Sequence, residues 1–191
     1  MLESFLEGRV YEVLLVTESN VTPVGVVRRG DSLTFKLFPG KSFRDLLKNP
    51  KASVQLTNDA ELIVKYALNM ETGVEIEKFK DWRWIKGLPG LYGAVEYQIE
   101  EWADEIGETS VLKAKFIPVG QIRGKLMDMP FSRADCALVE MAVLFTRYLV
   151  KPSEEVRQKL LELSYLYTHL GGRSDAHEYM VARLTEKGQK N

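Results

Sequence analysis

Only one cysteine, Cys136, occurs in the 191 residues, so no disulfide forms within the chain and no cysteine-based metal spacing exists. Histidine is almost as scarce. His169 and His177 are the only two, and Gly171-Gly172 breaks the helical register between them, so a metal pair is not expected and a surface role is. No Ser-His-Asp or Cys-His arrangement can be assembled from so little. Charge of one sign is lacking too. Lys plus Arg is 26, Asp plus Glu is 27 and the net charge is -1, which gives no reason to expect nucleic acid or an anionic membrane as partner. No apolar run approaches the roughly 20 residues that cross a bilayer. The start, Met1 to Gly8, has no basic segment ahead of an apolar block, so no secretory signal is read and a cytoplasmic location is expected. What is present is ordinary for a globular chain: 45% hydrophobic and 28% charged residues, enough for one domain or one domain with a small appendage.

The first part reads as strands. Val10 to Thr17 is rich in β-branched residues and ends at Glu18-Ser19-Asn20. Thr22 to Val27 follows and closes on Arg28-Arg29-Gly30-Asp31, a tight-turn signal. Leu33, Phe35 and Leu37 then alternate with Ser32, Thr34 and Lys36, the period of a half-buried strand. Connections this short imply antiparallel pairing. A short helix is expected from Ser42, read as its N-cap with Asp45 three residues on, to Asn49-Pro50. Ala52 to Thr57 is the next strand, with Ser53, Gln55 and Thr57 on its polar side, and a second helix spans Glu61 to Asn69.

Residues 70 to 91 read as an irregular loop that covers something, with Trp82 and Trp84 as a lid or, more simply, as anchors for the loop. Strands at Tyr92 to Trp102 and Thr109 to Phe116 flank an acidic turn formed by Glu100, Glu101, Asp104, Glu105 and Glu108, read as solvated. The total of about six strands is enough to close a small barrel. From Ser132 the period becomes helical: one long helix to Lys151-Pro152, a second capped by Ser153, and a third from Ser174 through Tyr179 and Leu184. Cys136 is read as a small core residue of the first. The expected fold is therefore mainly β with α, a six-stranded antiparallel split β-barrel over residues 1–122 with a small helical subdomain over 123–191.

Three stretches suit a ligand. Gly40-Lys41-Ser42 invites comparison with a phosphate-binding P-loop and fails it: Phe35 stands where the first glycine is needed, and the hairpin spacing rules out a parallel βαβ unit. Free N–H groups at a helix start, a hydroxyl and an ammonium still suit an anion, while a capped helix with a solvated lysine is the plainer reading. Thr22-Pro23-Val24-Gly25 combines a residue without an N–H and one without a side chain, as at a barrel-rim edge strand or against a flat polar ring. Gln55, Thr57, Asn58 and Asp59 end a strand in polar groups that suit a ring edge or a helix cap.

The order and spacing of these stretches resemble the FMN-binding split barrel of the flavin-reductase-like superfamily, and within it a mostly archaeal family of uncharacterised proteins. Pro23-Val24-Gly25-Val26 is similar to that family's Pro-Met-Gly-Val segment, Phe38-Pro39-Gly40 to its aromatic-x-Gly turn, Ser42 with Leu46 to its helix start, and Val54 to Asp59 to its strand-to-helix run. Ser132-Arg133-Ala134, Val139-Glu140 and Thr146-Arg147 resemble its helical tail. The turn before Ser42 is one residue shorter than in the family, and Asp45 replaces an asparagine.

The resemblance implies FMN as cofactor. Lys41, Ser42 and the main chain near Gly40 would hold the phosphate, with Phe38 in the turn and Lys36 as a second cation. Thr22, Pro23, Val24, Gly25, Gln55, Thr57 and Asn58 would surround the ribityl chain and ring. It further implies a homodimer with the flavin at or near the interface, and hydride or electron transfer at the flavin N5 if the protein is an enzyme. A flavin carrier or sensor without turnover, or a barrel that serves only as an interaction module, are the other classes open. No metal is expected.

Overall fold

The computed structural model describes residues 1–104, 107–127 and 132–188. Its strands are β1 (Val10–Val16), β2 (Val21–Arg29), β3 (Ser32–Leu37), β4 (Lys51–Gln55), β5 (Ile76–Phe79), β6 (Trp82–Ile85), β7 (Gly90–Asp104) and β8 (Gly107–Ile122). Its helices are α1 (Lys41–Lys48), α2 (Ala60–Ala67), α3 (Arg133–Val150), α4 (Glu154–His169) and α5 (Asp175–Gly188). Two compact units result, Met1–Asn58 with Gly73–Met127, and Asp59–Thr72 with the chain from 128 onward. The chain thus enters the helical unit twice, where one division after residue 122 was expected.

Six antiparallel strands close the first unit into a barrel in the order β1-β2-β3-β8-β7-β4, as the hairpin spacings led us to expect. Every second side chain points inward. Val13 and Leu15 of β1, Val24 and Val26 of β2, Phe35 and Leu37 of β3, Val54 of β4, and Leu112 and Phe116 of β8 form one buried cluster, which Leu46 of α1 and Phe5 plug. Each such side chain contributes about 1.5–3 kcal/mol on burial, so the interior holds together without a covalent link. The longest ladder joins β7 to β8 from Gly90↔Ile122 to Asp104↔Gly107, with a bulge between Tyr92 and Gly93. A Cβ at Gly93 would collide with the Ile117 carbonyl, so only glycine fits this bulge.

Residues 70–91 are more regular than expected. Strands β5 and β6 form a two-stranded hairpin turned at Lys80, whose φ is 54°. Four-residue strands are too short for a period to show in the sequence. The rings of Trp82 and Trp84 lie 4.8 and 6.4 Å from that of Tyr92 on β7, and the Trp84 indole N–H donates to Glu77 at 2.9 Å. Both tryptophans therefore anchor the hairpin to the barrel. The hairpin also lies against β1 and β4, and the polar side of β4, Ser53 and Gln55, is completely buried. Strands β7 and β8 extend into the expected acidic turn, and Glu100 pairs with Lys113 at 3.2 Å; Glu105 lies outside the described residues.

In the helical unit Asp59, Ser132 and Ser153 cap α2, α3 and α4 by accepting from Leu62, Ala134 and Val156. Val64, Leu138, Met141, Phe145, Leu160, Met180 and Leu184 make its core. Cys136 is exposed on α3, which corrects the expectation of a core residue; Ala134, Ala137, Leu138 and Met141 occupy the buried stripe and position 136 falls beside it. No helix among the described residues is long and apolar enough to cross a membrane.

His177 corrects a second expectation. It is only 9% exposed, with Nε2 2.8 Å from Ser164 Oγ on α4 and its ring 4.8 Å from that of Tyr167. Burial pushes its pKa below the ordinary imidazole value, against a smaller upward pull from Glu178. The unfolded chain therefore takes up the proton first, and stability falls as pH drops below about 6.5 until the folded pKa is passed. Urea unfolding of the helical unit's signal is expected to lose midpoint between pH 7.5 and 5.5, and His177→Gln is expected to flatten that loss. An equal slope in the variant would show that His177 does not couple folding to protonation.

Candidate functional site

The β2–β3 ladder ends early. Its rungs are Arg29↔Ser32, Arg28↔Leu33 and Val27↔Thr34, although both strands extend beyond the last of them. Residues Val21–Val26 pair with β1 alone, while Phe35–Leu37 pair with β8 on their other side. A gap in the pairing therefore opens in the barrel wall, and past it β2 has no strand partner on its β3 side among the described residues. Pro23 brings no N–H to this edge and Gly25 no side chain. A Cβ at Gly25 would sit 3.3 Å from both Glu12 Oε1 and a Val10 methyl, so glycine avoids crowding these two β1 side chains.

Helix α1 closes one end of the gap. Its N-cap is Gly40, with no side-chain cap, so Ser42 lies within the first turn rather than at the cap. The first intrahelical bond runs from Arg44 N to Gly40 O at 3.2 Å, which leaves the amides of Lys41, Ser42 and Phe43 without intrahelical acceptors. Lys41 and Arg44 are exposed, so positive side chains flank the positive end of the helix dipole.

A polar network fixes this helix against the β1–β2 turn. Asp45 accepts from Thr17 Oγ1 at 2.7 Å, Ser19 N at 2.7 Å and Ser19 Oγ at 2.9 Å. Asn20 Nδ2 donates to Ser42 Oγ at 2.9 Å, and Thr17 N closes the turn on Asn20 O at 2.8 Å. Burial works to raise the Asp45 pKa, but the bonds from Thr17 and Ser19 and the Lys48 charge outweigh it and hold the carboxyl below its usual range. Asp45 thus points at the turn, where its charge is matched.

The expected site residues fall into two groups. Thr22, Pro23, Val24, Gly25, Lys36, Phe38, Gly40 and Lys41 border the gap. Phe38 is 49% exposed, and the Lys36 ammonium lies 3.5 Å from the centre of the Trp102 ring. Ser42 is beside them, but its side chain is 3% exposed and turned to Asn20. Gln55, Thr57 and Asn58 lie across β1 from this edge, since Leu14 pairs with Pro23 on one side and Gln55 on the other. The Gln55 amide is fully committed: Nε2 donates to Ile85 O and Leu88 O at 3.0 and 2.9 Å, and Oε1 accepts from Ile85 N at 2.5 Å. Asn58 Nδ2 donates to Met127 O at 2.6 Å. Thr17, Ser19, Asn20 and Trp102 were not singled out in the sequence. The Ser-Asn turn signal was visible, but its partners lie 22 to 28 positions away.

The family models of a protein of unknown function, DUF447, match this chain over residues 11–124 for the N-terminal domain and 132–185 for the C-terminal part. An FMN-bound protein from Methanosarcina mazei, assigned to the same family model, is 22% identical, with a TM-score of 0.73 over 97% of this chain and 99% of that one. A 2-nitrobenzoate 2-nitroreductase from Pseudomonas fluorescens (11% identity, TM-score 0.45, 61% and 66% covered) is more distant. So is nitrilotriacetate monooxygenase component B from Bacillus cereus (12%, 0.45, 64% and 72%). No curated protein matches.

Independently of those likenesses, the network at Asp45 makes a prediction. Asp45→Ala leaves the Thr17 hydroxyl and the Ser19 amide without their acceptor and is expected to cost about 2–3 kcal/mol of barrel stability. Because the folded pKa is depressed, the carboxylate's contribution is present above about pH 4 and is lost as pH falls through the folded value. Denaturant melts of the two proteins at pH 7 and pH 3 check this. A difference that stays constant with pH would mean that the Asp45 charge does not hold the helix.

Proposed function

This chain belongs to the DUF447 family, and on that premise we propose that it binds FMN along the β2–β3 gap, with the phosphate at the start of α1. The observation that carries the reading is the unpartnered main-chain edge of β2 leading to a helix N-terminus with free amides. The pyrimidine edge of a flavin alternates donors and acceptors, which is the pattern that such a strand edge offers. The amides of Lys41, Ser42 and Phe43, with the Lys41 ammonium, suit a dianionic phosphate. The Methanosarcina mazei protein, solved with FMN bound, supports the choice of cofactor.

Bound flavin supplies hydride or electron exchange at its N5, so an oxidoreductase of this kind needs no protein nucleophile. The chain's own part is to bind, orient and shield. Pro23 limits which donors the edge presents. The Asn20–Ser42 and Asp45–Thr17 bonds keep the phosphate-facing amides in place. Phe38, exposed at the gap, suits a cover over a ring supplied with a second copy of the chain, so a homodimer is part of this reading. Lys41 and the helix amides take over the phosphate role that the sequence shared with Ser42, whose hydroxyl serves the helix anchor instead.

Purified protein titrated with FMN is expected to quench flavin fluorescence and to perturb the flavin absorbance bands. Lys41→Ala is expected to weaken FMN binding about tenfold, the effect of roughly 1.4 kcal/mol from one charge-assisted contact, and to leave riboflavin affinity unchanged. Neither quenching nor a spectral change in the wild type would overturn the flavin reading. Equal losses for FMN and riboflavin would remove Lys41 from the phosphate. Anaerobic mixing of the loaded protein with NADH or NADPH separates an oxidoreductase, which bleaches, from a carrier, which stays yellow.

A further inference from the structure

One stripe of α3 faces away from the core of its own unit. Cys136, Glu140, Val143, Arg147 and Val150 recur at intervals of four and three residues, and all five are exposed. At 3.6 residues per turn they fall within an arc of about 80°, opposite the buried Ala134, Met141 and Phe145. Val143 is 41% exposed and Val150 70%, so two branched apolar side chains stand on this stripe without cover.

The stripe also carries two charges that its own helix does not match. Glu140 and Arg147 are seven residues apart, about 10.5 Å along the axis, which is beyond ion-pair reach. Neither has an opposite charge three or four positions away on α3, where helical pairs form. Ion pairs elsewhere in the unit join Lys65 to Glu61, Arg157 to Glu154 and Lys159 to Glu155, and among the described residues Glu140 and Arg147 are in none. The acid stands three positions before Val143 and the base four after it. A surface that is its own electrostatic complement about one point suits a two-fold contact between identical chains.

We propose that α3 pairs with α3 of a second copy of this chain, antiparallel about a two-fold axis at Val143; this rests on the homodimer of the reading above and not on the flavin. Glu140 then lies about 4.5 Å from the axis along the helix, and the second copy's Arg147 about 6 Å from it on the same side. Each carboxylate meets a guanidinium, and symmetry makes the pair twice. Glu140 and Arg147 share one flank of the stripe and the valines the other, and a two-fold keeps each flank on its own side. Val143 packs on its symmetry mate, and Val150 comes level with Cys136, so the apolar side chains are covered. A parallel pairing fails, because it sets Glu140 against Glu140 and Arg147 against Arg147.

Sedimentation equilibrium of the full chain without flavin, combined with oxidative cross-linking, tests this. The wild type is expected to dimerise but not to cross-link through Cys136, because the two Cys136 side chains lie about 21 Å apart along the axis. Val143→Cys in a Cys136→Ser background is expected to give a disulfide-linked dimer, since position 143 meets itself at the axis. Glu140→Arg is expected to weaken dimerisation and slow that cross-link about tenfold at low salt, and adding Arg147→Glu to restore both. Thermal melts confirm that each variant folds. A monomeric wild type overturns the inference, as does a wild-type cross-link through Cys136, which a parallel pairing would give. A dimer that Glu140→Arg does not weaken and position 143 does not link is held by another face; that result overturns the inference and leaves the homodimer of the flavin reading standing. Failure to bind FMN removes the flavin reading and leaves this pairing in place.

Discussion

The rest of the site depends on one carboxylate. Asp45 is the point at which a short helix is tied to a turn far away in sequence, through Thr17 and Ser19 at 2.7 Å. Without that tie, α1 has only eight residues and a single fully buried apolar side chain, Leu46, to hold it over the barrel end. Helices this short are marginal alone. The tie does more than add stability, because it fixes the direction in which the first amides of α1 point. Asn20 completes the arrangement by donating to Ser42, so both the first turn and the middle of the helix are fastened to the same β-turn.

From that constraint follows the shape of the gap. With α1 fixed at the end of β3 and the turn fixed at the start of β2, the two strands are held at a common end, yet their ladder has already stopped at Val27↔Thr34. An unpaired strand edge is ordinarily a liability that invites another chain. Here the edge is short, is broken by Pro23, and runs into a helix start with free N–H groups. A barrel wall with this defect offers main-chain hydrogen bonds and a positive terminus in one line, which is what a molecule with a polar ring and a phosphate requires.

The barrel was largely legible in the sequence because its strands alternate cleanly, as Leu33, Phe35 and Leu37 show, and because turns such as Gly30-Asp31 are local. Cys136 and His177 were misplaced for a common reason. The period of a helix shows which residues share a face but not which face a neighbouring helix covers, and Ala134, Ala137 and Met141 won the buried stripe that Cys136 was given. The β5–β6 hairpin escaped because four-residue strands carry no period. Ser42 was expected to cap its helix, but the chain enters the helix two residues earlier, with Gly40 as the N-cap, and the hydroxyl serves a bond to Asn20 that no local pattern announces. The polar side of β4 misled in the other direction. Gln55 ends a strand as a ligand-binding residue would, yet its amide is spent on the main chain of Ile85 and Leu88.

The central claim is that the open edge of β2 is a recognition surface for the flavin ring, and amide hydrogen exchange tests it most directly. Added FMN is predicted to slow exchange at amides within Val21–Val26 and at Lys41–Phe43, with little change in β5, β6 and the helical unit. Slowing confined to other strands, or no change in β2 at saturating FMN, would contradict it.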